Sequence, residues 1–187
     1  MSTAITKVHK ASGKGSLTAF EKKFSSVLCG IQDSTSPIAK ELKTLYVHKV
    51  VTLPISQTTK CAIVYVPMPF LLRFKKIGTN HIAELEKKIP NHQFVIIGDR
   101  KIIREKDVKG GKQRPFTHTV SHVHDAMLED IVYPQHITAK HRVYSTDGSI
   151  KINVSLSRGV DNSHRFAGYT TAYKTLTGKA ARFTTDM

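Results

Sequence analysis

The segment between Lys60 and Gly98 limits the possible folds more than any other part of the chain. Its first residues, Lys60–Pro67, are rich in β-branched and aromatic side chains, which favour a strand. Apolar residues at helical spacing run from Leu71 to Ile89, and Pro90 ends that helix. Phe94–Ile97 is an unbroken apolar run, typical of a strand buried on both faces. A strand–helix–strand unit of this length predicts a right-handed crossover between two parallel strands.

Helix and strand patterns precede this unit. Apolar residues recur at helical spacing after Ser16, which we expect to be the N-cap of a first helix. Ser36-Pro37 predicts a short second helix that ends near Leu45, because proline is favoured at the first helical position. Tyr46–Leu53 predicts a strand that pairs with the strand beginning at Lys60, across a polar turn.

The second half of the chain predicts a helix, a hairpin and a last short helix. The helix is expected from about Ser121 to Ile131. Asp147-Gly148 favours the turn of a β-hairpin between Lys140–Ser145 and Ile150–Leu156, whose apolar residues alternate. The last helix is expected to end at Gly178.

These elements together predict an α/β fold with a single domain over residues 16–187. We expect a mixed β-sheet of about five strands flanked by helices, with a β-hairpin near the C-terminus and a long basic loop. Residues 1–15 contain no acidic side chain and no apolar periodicity, so they are interpreted as a basic N-terminal arm that is unstructured until bound.

The net charge of the chain indicates which class of partner it binds. Lysine and arginine number 29 against 14 aspartates and glutamates, for a formal net charge of +15. Such an excess on a chain of 187 residues favours a polyanionic partner, because a compact basic domain otherwise repels itself. The most apolar segment, Ala62–Leu72, is too short to span a bilayer, and no secretory signal is expected. Two cysteines make no disulfide framework, which agrees with a reducing compartment.

The basic residues that we expect to contact nucleic-acid phosphates lie in three segments. The long basic loop runs from Arg100 to Arg114. A loop of this length and charge can follow a phosphate backbone and release counterions as it binds. Arginine suits bidentate contacts best. The candidates are Lys7, Lys10 and Lys14 in the arm, Arg100, Lys101, Arg104, Lys106, Lys109, Lys112 and Arg114 in the loop, and Lys140, Arg142 and Lys151 in the hairpin.

A metal-dependent hydrolase acting on nucleic acid is the alternative from a different class. His122, Asp125 and Glu129 fall on one face of the predicted helix and could hold a divalent metal. An exposed helical face explains the same spacing, and we prefer that interpretation because spacing on one helix is a weak signal. Gly110-Gly111-Lys112 and Thr177-Gly178-Lys179 lack the spacing of a phosphate-binding loop, so a nucleotide site is not expected.

Several blocks of the sequence resemble the S-seven-e family of eukaryotic small-subunit ribosomal proteins. The resemblance covers roughly residues 60–185, and more loosely the helices that precede them. The most specific block is His124–Pro134. The other blocks are Ala62–Pro69, Phe74–Ile77, Glu84–Lys88, Phe94–Ile103 and Tyr173–Lys179.

The resemblance implies a structural, non-enzymatic protein of the ribosome. Its implied partners are small-subunit rRNA and neighbouring small-subunit proteins, with a part in small-subunit assembly and rRNA maturation. It implies no cofactor, metal, membrane or small-molecule substrate, and a place in cytoplasmic ribosomes with a nucleolar stage during assembly. A regulatory RNA-binding protein that visits ribosomes only transiently is the remaining alternative.

Overall fold

The computed structural model describes residues 7–9, 16–32, 42–105, 108, 113–157 and 163–185. The chain forms two compact units, an N-terminal unit through Asp99 and a C-terminal unit from Arg100 onward. The N-terminal unit contains α1 (Ala19–Gln32), β1 (Lys49–Pro54), β2 (Lys60–Val66), α2 (Met68–Lys88) and β3 (His92–Gly98). The C-terminal unit contains α3 (Val120–Val132), β4 (Ile137–Tyr144), β5 (Ile150–Leu156), α4 (Phe166–Thr177) and β6 (Ala180–Thr185).

The N-terminal unit contains the crossover that the sequence predicts. Its sheet has the order β1-β2-β3, with β1 antiparallel to β2 and β2 parallel to β3. In the parallel pair Lys60 lies opposite His92 and Val66 lies opposite Gly98. The predicted parallel pair is therefore confirmed. A single core joins the sheet to both helices: Phe24, Leu28 and Ile31 from α1, Leu71, Phe74 and Leu85 from α2, and Val64 and Phe94 from the sheet.

A buried carboxylate joins α1 to this sheet. The backbone N–H of Thr18 donates to Glu21 Oε2 at 2.9 Å, and the Glu21 N–H donates to Thr18 Oγ1 at 3.2 Å. This reciprocal pair is a capping box, which makes Thr18 the N-cap of α1. The sequence had predicted Ser16 for that position, and this prediction is wrong. Glu21 Oε1 also accepts from the Val50 N–H of β1 at 3.4 Å, which explains why a glutamate is buried here.

Part of the N-terminal arm belongs to the fold. Val8 is buried and forms a parallel bridge with Val47, in which the His9 N–H donates to the Val47 carbonyl at 2.8 Å. The Val47 N–H donates to the Lys7 carbonyl at 2.9 Å. The expected unstructured arm is therefore wrong for residues 7–9. The short helix expected to end near Leu45 lies mostly outside the described residues.

The C-terminal unit contains the predicted hairpin and a strand that the sequence did not predict. Its sheet has the order β4-β5-β6, with β4 antiparallel and β6 parallel to β5. Gly148 has a φ of 75° in the hairpin turn, which the predicted Asp-Gly turn requires. The described strands thus form two sheets of three strands, which corrects the expectation of one mixed sheet of about five.

The helices of the C-terminal unit cover one face of its sheet. Tyr169 and Tyr173 of α4 are almost fully buried, and the Tyr169 ring lies 5.7 Å from the ring of Phe183 in β6. Ile152 and Val154 of β5 are buried on the same side. Across the described part of the chain, no helix combines the length and the apolar character needed to cross a membrane.

Candidate nucleic-acid interface

Arg100, at the start of the basic loop, is held inside the C-terminal unit. Its guanidinium donates to Asp130 Oδ2 in α3. The Arg100 side chain is 14 % exposed and the Asp130 side chain 1 % exposed. A buried carboxylate needs such a partner, and the guanidinium supplies both charge and hydrogen bonds. This arginine therefore stabilises the fold before any ligand arrives.

The two described ends of the basic loop contact each other. Arg114 Nη1 donates to the Ile103 carbonyl at 3.3 Å, and its Nη2 lies 3.2 Å from Glu105 Oε1. His118 Nδ1 donates to the Lys101 carbonyl at 2.9 Å. These contacts hold the two described ends of the loop together, while the side chains of Lys101 and Arg104 stay exposed. Lys106, Lys109 and Lys112 lie outside the described residues.

Lys7 is the one predicted arm contact that the structure describes. Its ammonium is buried and donates to the Leu42 and Lys43 carbonyls, each at 2.9 Å. Burial lowers the pKa of Lys7, and the two carbonyls supply the acceptors that the ammonium would otherwise find in water. This lysine thus acts inside the fold. Lys10 and Lys14 lie outside the described residues.

The hairpin presents its three candidates on two faces. Lys140 and Arg142 lie opposite Val154 and Ile152, so they share the face on which the helices pack. Lys140 is paired with Asp125 of α3, at 2.5 Å between Nζ and Oδ1. Arg142 is exposed, and Lys151 is exposed on the opposite face of the sheet.

The exposed cations thus differ from the paired ones. Arg100, Arg114 and Lys140 have carboxylate partners within the protein. Four further predicted cations have exposed side chains and form no ion pair with another residue of the described ranges. They are Lys101, Arg104, Arg142 and Lys151.

The face of α3 proposed for a metal serves the fold instead. Asp125 is paired with Lys140, and the His122 ring lies 5.0 Å from the ring of Phe116. Glu129 is exposed. Within the residues that the structure describes, no three histidine, cysteine, aspartate or glutamate side chains come close enough to hold a metal ion. The geometry therefore gives the hydrolase alternative no support there.

Comparison with known sequences decides the family. The sequence model of the family "ribosomal protein S7e" matches residues 7–185. The chain belongs to the ribosomal protein S7e family. The resemblance drawn from the individual motifs is thereby confirmed, and the match extends over α1 and β1 as well.

Individual relatives of this S7e protein cover nearly its whole length. Small ribosomal subunit protein eS7 of Avicennia marina is 33% identical over 185 residues, which are 98% of this chain and 97% of the relative. Its counterpart from Manduca sexta is 34% identical over 184 residues, 95% of each chain. Small ribosomal subunit protein eS7z of Arabidopsis thaliana is 30% identical over 185 residues, 98% and 96% of the two chains.

The S7e chain also carries an exposed arginine and an exposed histidine that the sequence interpretation missed. Arg182 is exposed in β6, and His141 is exposed in β4. Arg182 escaped notice because β6 itself was not predicted. The available signal was the alternation around it, in which Ala181 and Phe183 are buried and Thr184 is exposed.

Proposed function

We propose that this protein is a structural constituent of the small (40S) ribosomal subunit that binds rRNA and stabilises its fold. The observation that carries the proposal is the family match over residues 7–185, together with relatives named small ribosomal subunit protein eS7 over nearly their full length. The net charge of +15 supports the same conclusion, because a folded RNA supplies the neutralising polyanion. The protein acts by binding and not by catalysis.

The RNA contacts in this proposal are made mainly to phosphates. Lys101, Arg104, Arg142 and Lys151 are exposed, so their positive charges can replace the counterions of an RNA backbone. Phosphate contacts position a protein without reading sequence, and RNA shape then supplies specificity. Five further lysines are proposed as phosphate contacts because of their positive charge alone. They are Lys10, Lys14, Lys106, Lys109 and Lys112. Lys7, Arg100, Arg114 and Lys140 serve the fold first, since their charged groups already have acceptors within the protein.

The remaining features of the proposal follow from a ribosomal role. Neighbouring small-subunit proteins are the other partners, and the protein supports small-subunit assembly and rRNA maturation. It works in cytoplasmic ribosomes after a nucleolar stage of assembly. We propose further that residues 16–187, with both compact units, act as one α/β ribosomal-protein domain, and that this role involves no cofactor, membrane or small-molecule substrate.

The decisive experiment is sedimentation of the tagged protein through a sucrose gradient, repeated after a high-salt wash. We expect the protein to travel in stoichiometric amount with small subunits and translating ribosomes, and to survive the wash. Protein that stays at the top of the gradient, or washes off completely, would contradict the proposal. That outcome would favour the transient regulatory RNA-binding protein.

A charge-matched pair of variants tests the named cations in the same gradient. One variant carries Lys101→Glu, Arg104→Glu, Arg142→Glu and Lys151→Glu. The control carries glutamate at Lys22, Lys23, Lys87 and Lys88, which are exposed on α1 and α2. We expect the first variant to be depleted from small subunits far more than the control. Equal depletion would show that total charge matters and that the four named positions do not.

A further inference from the structure

The face of the C-terminal sheet opposite its helices has not been assigned a role. Side chains alternate along β5, so that Ile152, Val154 and Leu156 point into the core and Lys151, Asn153 and Ser155 point to the other side. Residues directly opposite each other on neighbouring strands share a face. The register then gives three rows across this open face: Val143, Lys151 and Ala180; His141, Asn153 and Arg182; and Ala139, Ser155 and Thr184.

This open face is accessible to a large ligand. Lys151 on the central strand is exposed, and so are His141 and Val143 on β4 and Arg182 and Thr184 on β6, whereas Asn153 in the middle of the face is half-buried. The burial of Phe183 against Tyr169 shows that α4 covers the other side of β6. No described element of the C-terminal unit covers the open face.

The open face carries basic side chains and no acidic ones. His141, Lys151 and Arg182 bring two permanent cations and an imidazole, and none of the nine residues is a carboxylate. On the helix-packed face, by contrast, Lys140 is paired with Asp125. His141 and Arg182 lie on either side of Asn153, about 10 Å apart across two strand spacings.

The same residues distinguish RNA from a protein as the occupant. The core of a protein–protein interface is rich in aromatic and apolar side chains. The open face has one such residue, Val143, among small and polar neighbours. Arginine, lysine, serine, threonine and asparagine are the side chains that contact phosphate and sugar oxygens. Its small side chains at Ala139 and Ala180 also allow a backbone to approach the sheet closely.

We propose that the open face of the C-terminal sheet docks an RNA phosphate backbone, with Arg182 and Lys151 as the principal phosphate contacts. Asn153 lies between His141 and Arg182 and donates its amide hydrogens to phosphate or ribose oxygens. This inference rests on the proposed function and adds Arg182, His141 and Asn153 to the RNA-binding surface.

The first test compares Arg182→Ala with Lys174→Ala in the full chain. Lys174 is exposed on α4, so its replacement removes the same charge from the same unit. The probe is small-subunit rRNA transcribed in vitro, and its dissociation constant is measured over a range of salt concentrations. We expect Arg182→Ala to weaken binding roughly tenfold, since a charge-assisted hydrogen bond is lost. The slope of log K against log salt should become shallower by about one. Lys174→Ala should leave that slope unchanged.

A second pair of variants tests the shape of the open face without changing charge. Ala180→Trp places a large ring beside Lys151 on the open face, whereas Ala167→Trp places the same ring on the exposed side of α4. We expect Ala180→Trp to weaken binding several-fold and Ala167→Trp to bind as the unmodified chain does. Circular dichroism of all four variants verifies that they are folded.

The outcomes separate this inference from the proposed function. If the unmodified chain fails to bind small-subunit rRNA, the proposed function fails. If the unmodified chain binds with a steep salt dependence but Arg182→Ala and Ala180→Trp bind equally well, only the docking of RNA on this face is overturned. The open face would then be left for a neighbouring protein.

Discussion

The ion pair between Arg100 and Asp130 shows how surroundings decide what a basic residue does. The Asp130 side chain is 1 % exposed, so loss of its charge leaves a largely buried guanidinium without its carboxylate. Breaking a buried pair from one side costs about 3–5 kcal/mol. We therefore expect Asp130→Ala to lower the free energy of unfolding by roughly that amount, measured by urea denaturation.

The neighbouring residue gives a matched control for this ion pair. Glu129→Ala removes an exposed carboxylate from the same helix and should change stability by less than about 0.5 kcal/mol. Joint replacement of the pair by Asp130→Leu and Arg100→Met should restore much of the loss, because apolar side chains carry no unpaired charge. Equal stability of Asp130→Ala and Glu129→Ala would show that the pair contributes little.

His124 makes the stability of the C-terminal unit depend on pH. Burial lowers its pKa below the ordinary value of 6.5, Lys179 lowers it further, and Asp125 opposes both. The unfolded state then binds more protons between the lowered pKa and about 6.5. We expect the free energy of unfolding to be highest above pH 6.5 and to fall as the pH drops through this window, measured by denaturation at a series of pH values.

Two variants isolate His124 from the other histidines. His124→Gln should flatten the fall below pH 6.5, whereas His136→Gln, at an exposed position, should leave it unchanged. In an NMR titration, Lys179→Met should raise the pKa of His124, because one nearby positive charge is lost. An unchanged titration in Lys179→Met would refute the electrostatic part of this account.

At the scale of elements, β6 completes the core of the C-terminal unit. Phe183 is buried, and its ring lies 5.7 Å from Tyr169 and 6.4 Å from Phe166. Phe183→Ala should lower the free energy of unfolding by about 3–5 kcal/mol, since it leaves a cavity between β6 and α4. Thr185→Ala, at an exposed position of the same strand, is the control. A loss below about 1 kcal/mol for Phe183→Ala would mean that β6 adds little to the core.

The elements that the sequence predicted are those with strong local signals. Pro67 and Pro90 bracket α2, and Asp147-Gly148 specifies the hairpin turn, so these boundaries lie within a few residues of the structure. β6 has only two core side chains, Ala181 and Phe183, and one of them is small. Apolar residues that alternate with a period of two identify a strand, but they do not show which other strand it pairs with. The division into two sheets depends on pairings between residues distant in sequence, which no local pattern contains.

The sequence predicted the ligand class of the candidate site, but only some of the residues that remain exposed to bind it. The charge excess and the family motifs pointed to RNA, and exposure agrees with that role for Lys101, Arg104, Arg142 and Lys151. The internal partners of Lys7 and Arg100 could not be foreseen, because Leu42 and Asp130 lie 35 and 30 residues away in the chain. Charge composition counts cations, whereas tertiary contacts determine which of them remain exposed.

At the scale of the whole molecule, the net charge of +15 predicts how the free chain responds to salt. Self-repulsion destabilises a compact state, and raising the salt from about 0.01 M to 0.15 M shortens the Debye length from about 30 to 8 Å. We therefore expect the midpoint of thermal unfolding to rise over this range. Lys22→Gln, Lys23→Gln and Lys174→Gln together remove three exposed positive charges and should reduce the rise. Sucrose at matched osmolality controls for exclusion effects. A midpoint that stays flat or falls would show that repulsion among the excess positive charges does not limit the stability of the free chain.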